Sequence, residues 1–388
     1  MQHKRFITVV YFFAFISIGL TMGALGPSLP SFAANTGSSL KRISSLFIFS
    51  SFGYLVGSFL AGRLLVHIRG HRLLAASLLC MATGLALMPL MGNLWLLVLA
   101  FFVIGVAQAN MDIGENTLLI WLHGQDVAPY MNGLHFFFGV GSLLAPLFVA
   151  QSLQWGQSLS YGYWVMAVLI FLPFIFILRL PSPHNPSQDA GHVQRPQPGF
   201  MLVGLLIVFF FGSTGAELTF GNWLYTYSLQ GNFGNALTSA YLNSAFWAFF
   251  TVSRLLGVFV SRKLSAQRML WIDLIFSLVS LGFLMVFANS RQVFWVSSLA
   301  FGFFIATCFP AAMNLAERLG ATSSRITSLF FVASSLSGMI SPWVVGQWIE
   351  SRGIRVLPWV VLTNLLLAIL AVALISVLTR RGRQQPAF

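Results

Sequence analysis

The stretch LWLLVLAFFVIGVAQANMDIGENTLLIWL, residues 94–122, is apolar enough to cross a bilayer as a helix, yet it contains two carboxylic acids. A membrane-crossing helix needs about 20 predominantly apolar residues. A charged side chain at the bilayer centre costs about 2.5–3.5 kcal/mol on insertion scales, so Asp112 and Glu115 need a partner or a function. The stretch therefore predicts a transmembrane helix with one side turned toward protein or water.

The polar residues of this stretch lie on one face of the predicted helix. Asp112, Glu115 and Asn116 fall within about 100° of one another, and Gln108 joins them one turn earlier. This stripe is typical of a helix that lines a cavity inside a membrane protein. Alternatively, the four groups satisfy one another or cap neighbouring helices.

The rest of the chain repeats the apolar pattern. Of its 388 residues 57% are hydrophobic and only 7% are charged, and the mean hydropathy is +0.83, which excludes a water-soluble globule. Hydropathy and loop residues predict twelve spans, at about 6–27, 43–66, 72–91, 94–122, 130–151, 160–179, 200–228, 237–260, 268–288, 292–316, 325–349 and 355–378. The first span follows Lys4 and Arg5 and is too long for a typical signal peptide, so we expect it to be retained.

Basic residues set the predicted orientation. With the N-terminus inside, fifteen of the 21 Lys and Arg residues fall on the cytoplasmic side and five on the other. This bias places both termini in the cytoplasm of a cell whose inner membrane holds the protein, and it requires an even number of spans. The net charge of +13 is spread over short loops, so we expect membrane lipid but no nucleic acid as a partner.

A hydrophilic segment divides the chain into two halves. The sequence RLPSPHNPSQDAGHVQRPQPG, residues 179–199, is rich in Pro, Ser and Gln and predicts a flexible cytoplasmic linker. We therefore expect a six-helix bundle over residues 1–180, a linker over 181–199 and a second six-helix bundle over 200–388.

The halves contain a short internal repeat. At an offset of 196, residues 134–151 (LHFFFGVGSLLAPLFVAQ) superpose Pro146 on Pro342 and Gln151 on Gln347. Parallel repeats related by an axis along the membrane normal occur in transporters whose substrate site lies near the midplane between the halves. The repeat thus favours such an architecture.

Span seven supplies a third buried acid. In GAELTFGNWLYTYSL, residues 215–229, Glu217 is followed by Asn222 and Trp223. Aromatic rings next to amide and carboxylate groups suit a sugar, because rings cover C–H faces while polar groups bind hydroxyls.

Span eight contains the one basic residue placed inside a span. Arg254 lies within about 40° of Asn243 and Trp247 on that helix and needs an anion. Three acids could supply it: Asp112, Glu115 or Glu217. At least one carboxylate then remains free to bind a proton or sodium, although a purely structural ion pair is the alternative.

Other polar residues carry weaker signals. His135, near the start of span five, could titrate near neutral pH or serve only in packing. Cys80 and Cys308 both lie in apolar segments, so neither a disulfide nor a cysteine metal site is indicated. The sequence has no P-loop, nucleophile elbow or metal-spaced His/Cys set, so we expect no enzyme and no cofactor, and an ion gradient as the energy source.

Several strings resemble one family over most of the chain. They are LGPSLPSFA (25–33), MDIGENTLLIWLHG (111–124), PYMNGLHFFFGVGSLLAP (129–146), GAELTFGNWLYTYSL (215–229), AYLNSAFWAFFTVSRLLG (240–257), FPAAMNLAERLG (309–320) and SLFFVASSLSGMISPWVVGQ (328–347). These strings look like the sodium-dependent glucose transporter 1 branch of the major facilitator superfamily, which is related to fucose/galactose/glucose:proton symporters. The resemblance implies an all-α membrane protein with 12 transmembrane helices in two pseudo-symmetric six-helix bundles.

The resemblance also suggests roles for individual residues. Asp112 and Asn116 are similar to the acid-x-x-x-Asn pair of the sugar symporters, where the acid takes part in coupling and sugar recognition. Glu217 matches the span-seven glutamate of the sodium-dependent branch. Three departures from the family pattern are the missing acid in span one, His67 in the loop HIRGHR where an aspartate is usual, and Glu115.

We therefore expect a monomeric secondary active transporter that imports a monosaccharide or related small polar substrate with a proton or sodium. The ion-coupling candidates are Asp112, Glu115 and Glu217, with a sodium site near Asp112 or Glu217. The candidate substrate contacts are Gln108, Asn116, His135, Asn222, Trp223, Asn243 and Trp247. Arg254 is expected to form an ion pair or a gate. A proton-coupled drug or metabolite exporter is the alternative, and a membrane sensor or scaffold is a third possibility.

Overall fold

The computed structural model describes residues 2–156, 158–183, 199–287, 289–321 and 323–384. Within these ranges the chain is almost entirely helical and contains no strand. Most of the predicted linker, residues 184–198, lies outside the described residues, so the division of the chain at 181–199 stays a prediction.

Twelve helices of the described chain are long and apolar enough to cross a membrane, which agrees with the predicted number. They are α1 (Gln2–Asn35), α2 (Ser45–His67), α3 (Gly70–Leu87), α4 (Leu94–His123), α5 (Ala128–Gly156), α6 (Ser160–Arg179), α7 (Phe200–Gln230), α8 (Ala236–Val260), α9 (Ala266–Val286), α10 (Arg291–Ile305 and Cys308–Arg318), α11 (Ser324–Arg352) and α12 (Val356–Gln384). A short helix, Leu40–Ile43, precedes α2, and Ala306 and Thr307 interrupt α10.

The first helix differs most from its predicted bounds. Residues 6–27 were expected to be helical, whereas α1 continues through Pro27 and Pro30 to Asn35. Proline removes a backbone hydrogen bond and usually ends or kinks a helix. Here the extension packs against the bundle, since the ring of Phe32 is fully buried and contacts other aromatic rings edge to face.

The helices pack in two sets. In the first, α1 packs against α5, α2 against α4, and α3 against α6; in the second, α7 packs against α11 and α12, and α10 against α8 and α9. The sets meet through α1 and α7, α2 and α11, and α5 and α8. Adding six to the helix numbers converts the α2–α11 contact into the α8–α5 contact, as expected for pseudo-symmetric halves. Pro146 and Pro342, which the internal repeat aligns, lie inside the equivalent helices α5 and α11.

Close backbone approach occurs where the halves meet. A Cβ atom on Gly26 of α1 would overlap the carbonyl group of Asn222 on α7, and one on Gly139 of α5 would overlap the side chain of Thr251 on α8. Small residues allow this approach between membrane helices. Glycine at these positions therefore lets the helices of opposite halves touch.

The halves are joined at the end of the molecule where α1 ends and α2 begins. Gln347 Nε2 donates to the carbonyl oxygen of Lys41 at 3.2 Å and to Ser44 Oγ at 3.3 Å, and Lys41 N donates to Glu350 Oε1 at 3.1 Å. Elsewhere in the described chain, α4 and α5 make no extended contact with α10 and α11. We call the joined end the gate and the space between the halves at the opposite end the cleft.

Candidate functional site

Asp112 is held by two donors from neighbouring turns and helices. Its Oδ2 accepts a hydrogen bond from the Tyr54 hydroxyl of α2 at 2.5 Å, and its Oδ1 accepts from Asn116 Nδ2 at 2.8 Å. The side chains of Asp112 and Asn116 are half-buried. Hydrogen bonds to a charged acceptor are short and strong, so these two donors offset part of the cost of burying a carboxylate at this position.

The polar stripe of α4 divides between two directions. Asn116 Nδ2 also donates to the backbone oxygen of Asp112 at 2.7 Å, which keeps that pair together. Gln108 instead donates to Thr21 Oγ1 of α1. Because seven residues make about two helical turns, Glu115 lies on the Gln108 side of the helix. The predicted single face is therefore two adjacent faces.

Glu115 has a very different environment from Asp112. Its side chain is 0% exposed, and neither carboxyl oxygen has a hydrogen-bond partner in the described part of the chain. Asp112 and Glu115 are thus three residues apart, but only Asp112 has donors and access to solvent. The sequence did not distinguish the two environments.

Arg254 interacts with the second half of the molecule. Its Nε donates to the carbonyl oxygen of Ala306 at 3.3 Å, where α10 is interrupted, and its Cζ lies 4.4 Å from the centroid of the Phe250 ring. Of the three candidate acids, Glu217 is the one within electrostatic range of Arg254. Among the three predicted partners the electrostatics favour Glu217, and the ion pair itself stays a prediction.

His135 extends this charged group across the interface between the halves. Its side chain is exposed, its ring lies 5.5 Å from that of Phe15 in an edge-to-face contact, and it is within electrostatic range of Arg254. The structure thus brings together His135 of α5, Glu217 of α7 and Arg254 of α8. Half-buried Glu217 and Arg254 and exposed His135 can all meet a polar solute.

Two predicted substrate contacts on α7 and α8 are engaged in helix packing. Trp223 is 0% exposed and donates through Nε1 to the carbonyl oxygen of Pro342 at 2.9 Å. Asn243 is also fully buried; its Nδ2 donates to the Gly221 carbonyl oxygen at 2.8 Å, while its Oδ1 has no partner among the described residues. In this conformation both side chains stabilise contacts between helices.

The other two predicted contacts of this region differ in exposure. Trp247 is buried and packs edge to face on Phe246 and Phe250, with ring centroids 5.2 Å away in each case. Asn222 is half-buried and donates to the Leu218 carbonyl oxygen at 2.9 Å within its own helix. Their contact with substrate stays a prediction.

Sequence reasoning missed the hydrogen-bond partners of the polar side chains on α4 and α9. Tyr54 and Thr21 were not singled out, because an isolated hydroxyl in an apolar span carries no pattern of its own. Asp273 was not singled out either, although it is only 7% exposed and accepts a hydrogen bond from Thr307 at 2.6 Å. The sequence signal near this pair is Pro310, three residues after Thr307, because proline interrupts a helix.

The arrangement can bind small cations through oxygen atoms but offers no multidentate metal centre. Within the described residues, no group of three or more His, Cys, Asp or Glu side chains could hold a metal ion. Asp112 is hydrogen-bonded to neutral donors and has Glu115 as an acidic neighbour, whereas Glu217 lies within electrostatic range of the basic Arg254. Proton transfer, cation binding and hydrogen bonding are chemistry that these carboxylates can perform.

Twelve membrane-crossing helices packed in two sets, with charged residues at membrane depth where the sets meet, are typical of a multi-pass membrane transporter. A model of the Major Facilitator Superfamily matches residues 11–342 of the chain. The protein therefore belongs to the Major Facilitator Superfamily. This finding confirms the predicted all-α fold, and it identifies the protein as a transporter, not an enzyme, that acts on a small-molecule substrate.

Similar proteins have names consistent with the predicted branch. The chain is 28% identical to mouse sodium-dependent glucose transporter 1A over 86% of this chain and 87% of the mouse protein. It is 27% identical to human sodium-dependent glucose transporter 1 over 86% and 71% of the two chains. The crystal structure of the nucleoside transporter NupG superposes with a TM-score of 0.73 at 15% identity, covering 94% of this chain and 97% of that one.

Proposed function

We propose that the protein is a cation-coupled symporter that imports a monosaccharide or a related small polar solute by alternating access. The observation that carries this proposal is Asp112, an acid at membrane depth that is half-buried and held by Tyr54 and Asn116. The names of the relatives, which describe sodium-dependent glucose transport, support a sugar as substrate and sodium as one candidate ion. We propose that the protein acts as a monomer in the cell (inner) membrane.

The gate and the cleft give the transport cycle its two ends. With both termini in the cytoplasm, as the positive-inside rule predicts, the gate at Lys41–Ser44 and Gln347–Glu350 closes the outer side. The cleft then opens to the cytoplasm, so this conformation is inward-facing. Rocking of the halves about the contacts between α1 and α7 would separate the gate and close the cleft.

Coupling follows from what a cation does to Asp112. As a carboxylate, Asp112 accepts hydrogen bonds from Tyr54 and Asn116; a proton or a sodium ion would compete for the same oxygen atoms. The Asn116 amide released in this way can bind a substrate hydroxyl instead. Two ligands that change the same hydrogen bonds affect each other's affinity, which is the linkage that symport needs.

The charged group of the second half supplies the other side of the binding site. Arg254 and Glu217 offer a donor and an acceptor to the hydroxyl groups of a sugar, and His135 reaches the same region from α5. Phe250, beneath Arg254, is 1% exposed in this conformation, so it supports the guanidinium group and does not offer a face to substrate. Donors and acceptors in this region match the hydroxyls of a sugar.

Replacement of Asp112 tests the proposal. In membrane vesicles with an imposed proton or sodium gradient, Asp112→Asn should lower concentrative uptake of the transported sugar by about a hundredfold, the size typical of a lost proton-transfer group. Exchange of labelled for unlabelled sugar should persist, because exchange needs no net cation movement. Asp126→Asn, an exposed acid just after the same helix, is the matched control.

Thermal unfolding of the wild-type protein distinguishes sodium from a proton as the coupling ion. It is measured with sugars in sodium and in potassium at two pH values, because a ligand raises the midpoint temperature of unfolding only by binding the folded state.

Concentrative uptake by Asp112→Asn equal to wild type contradicts the proposal. Drug efflux together with no sugar binding would favour the exporter.

A further inference from the structure

Glu115 lies inside the N-terminal set of helices, on the side of α4 that faces α1 and α3. The preceding residue, Gly114, is packed against Leu74 of α3, and Tyr11 of α1 is within electrostatic range of the Glu115 carboxyl group. The side chain is 0% exposed and has no hydrogen-bond partner among the described residues. A buried carboxylate without a partner is strongly destabilising, so such a group binds a proton instead. The geometry therefore requires a neutral Glu115.

Within the described residues, no basic side chain is paired with Glu115. The titratable side chains on the helices packed around α4 include Tyr11 of α1, Tyr54 of α2, His71 and Cys80 of α3, Asp112 of α4 itself and the exposed His135 of α5. Tyr54 donates to Asp112, and His135 is turned toward Phe15 and Arg254. Among the described residues, Tyr11 and Asp112 are the groups in electrostatic range of Glu115. These two are therefore the nearest groups through which the Glu115 proton can exchange.

A hydrogen-bonded chain connects Tyr11 to the end of the bundle. His71 Nδ1 lies 2.9 Å from the Leu180 carbonyl oxygen, an acceptor, so Nδ1 bears the hydrogen of the neutral ring. The Tyr11 hydroxyl, 2.7 Å from His71 Nε2, therefore donates to that nitrogen. Its oxygen lone pairs remain available to a donor on the other side. The backbone N–H of His71, in the first turn of α3, donates to Ser182 Oγ at 3.3 Å.

We propose that Glu115 is a second proton-binding site, separate from the cleft, that exchanges its proton at the loop between α2 and α3 through Tyr11 and His71. After the Glu115 side chain rotates toward Tyr11, its O–H proton passes to the Tyr11 oxygen while the Tyr11 proton passes to His71 Nε2. Glu115 becomes a carboxylate, Tyr11 stays neutral and His71 becomes an imidazolium. His71 returns to its neutral form by releasing the Nδ1 proton to water at the loop.

The second site would act on the first through charge. Asp112 and Glu115 lie three residues apart on one helix, where side chains are neighbours. Two adjacent carboxylates repel each other, so loss of the proton from Glu115 favours a cation at Asp112. This consequence rests on the proposed function of Asp112, whereas the site at Glu115 does not.

Infrared difference spectroscopy of the purified full-length protein tests the proposal without substrate. The C=O stretching band of a buried protonated carboxyl group should be present in wild type and in Asp112→Asn and lost in Glu115→Gln. After a jump to high pH, the band should decay about a hundredfold more slowly in Tyr11→Phe, because a positioned proton carrier is missing. Tyr163→Phe is the control, since Tyr163 is also buried but donates to Ser28 outside the chain.

Two results would overturn the proposal: an unchanged band in Glu115→Gln, or wild-type decay in Tyr11→Phe. If Glu115→Gln does not fold, Glu115→Asp replaces it and should shift the band without removing it; an unshifted band again contradicts the assignment. The uptake assay with Asp112→Asn is independent of these spectra. Failure of symport and failure of the second proton site are therefore observed separately.

Discussion

The two halves of the molecule handle buried charge in opposite ways. In the N-terminal half, Asp112 is held by neutral donors and Glu115 by no hydrogen bond within the described residues. In the C-terminal half, Glu217 and Arg254 lie within electrostatic range of each other. Asp112 can gain or lose a positive charge as it binds a cation, whereas Glu217 and Arg254 already compensate each other; Asp273, which accepts a hydrogen bond from Thr307, is the buried acid of the C-terminal half that resembles Asp112. We therefore expect coupling at Asp112 in the N-terminal half and binding of the uncharged substrate near Glu217 and Arg254.

Breaking the balance in the C-terminal half should have the largest effect on stability. Glu217→Gln leaves Arg254 half-buried without its acid, and Arg254→Met leaves Glu217 without its cation, so each single variant should unfold more readily. The double variant should be more stable than the sum of the two losses predicts, with a coupling of about 1–3 kcal/mol. Unfolding of the purified protein in mild detergent measures the cycle.

Glu317→Gln is the control for this cycle, because Glu317 is an exposed acid near the end of α10. Its substitution should leave the unfolding free energy unchanged within about 0.5 kcal/mol. Strictly additive losses in the double variant would mean that Glu217 and Arg254 do not compensate each other, and the contrast between the halves would disappear.

The same contrast shows how much the sequence could predict. The twelve spans follow from hydropathy, because each helix must satisfy its own backbone hydrogen bonds in lipid and needs a fixed length to cross it. That Asp112 lies within a membrane helix follows equally. The contact with Tyr54 does not follow from the sequence, because Tyr54 lies 58 residues before Asp112 and only tertiary packing brings its hydroxyl to the carboxylate.

Helical periodicity predicted only coarsely which neighbouring helix each polar side chain of α4 contacts. It placed Gln108, Asp112, Glu115 and Asn116 on one face, but a face about 100° wide can contact two different neighbours. One part of this face contacts α2 and the other part contacts α1. Asp112 therefore bonds with Tyr54 of α2, and Gln108 bonds with Thr21 of α1. Burial of Trp223 and Asn243 was likewise invisible, since a polar or aromatic residue has the same periodicity in a cavity and in a helix contact.

Removing one hydrogen-bond donor from Asp112 tests the role given to the N-terminal half and should have a smaller effect than breaking the Glu217–Arg254 pair. Tyr54→Phe deletes one of the two hydrogen bonds to the Asp112 carboxylate, and a hydrogen bond to a charged group contributes about 1.5–3 kcal/mol. Because the bond stabilises the free carboxylate, its loss favours the cation-bound form. Half-maximal uptake should then occur at about a tenfold lower concentration of the coupling ion.

The direction of this shift is the decisive result. A higher concentration of coupling ion for half-maximal uptake in Tyr54→Phe would mean that Tyr54 assists cation binding and does not compete with it. Tyr241→Phe is the matched control: Tyr241 is 45% exposed on α8, so its hydroxyl can be removed without changing the uptake curve.

Substitutions in the gate should have the smallest effect. They test whether equivalent residues of the two halves contribute unequally to the contacts between the halves. Gln347 and Gln151 are equivalent in the internal repeat, but only Gln347 is bonded across the halves, to Lys41 and Ser44; the Gln151 amide bonds to Gln154 at 3.3 Å in its own helix. Gln347→Ala removes about 0.5–1 kcal/mol from the gate, because its two hydrogen bonds are long, join uncharged groups and are at least partly exposed to solvent. The population with an open gate should rise about two- to fivefold.

Labelling of a buried position at this end of the interface measures that population. Ala150 is 2% exposed and packs with Tyr225 and Ala240 of the other half, so Ala150→Cys, in a chain without the two native cysteines, reports separation. A hydrophilic maleimide should react about two- to fivefold faster when Gln347→Ala is added and at an unchanged rate when Gln151→Ala is added. Equal acceleration by both substitutions would show that the repeat is symmetric in energy as well as in sequence, because then neither glutamine would hold the halves together more than the other.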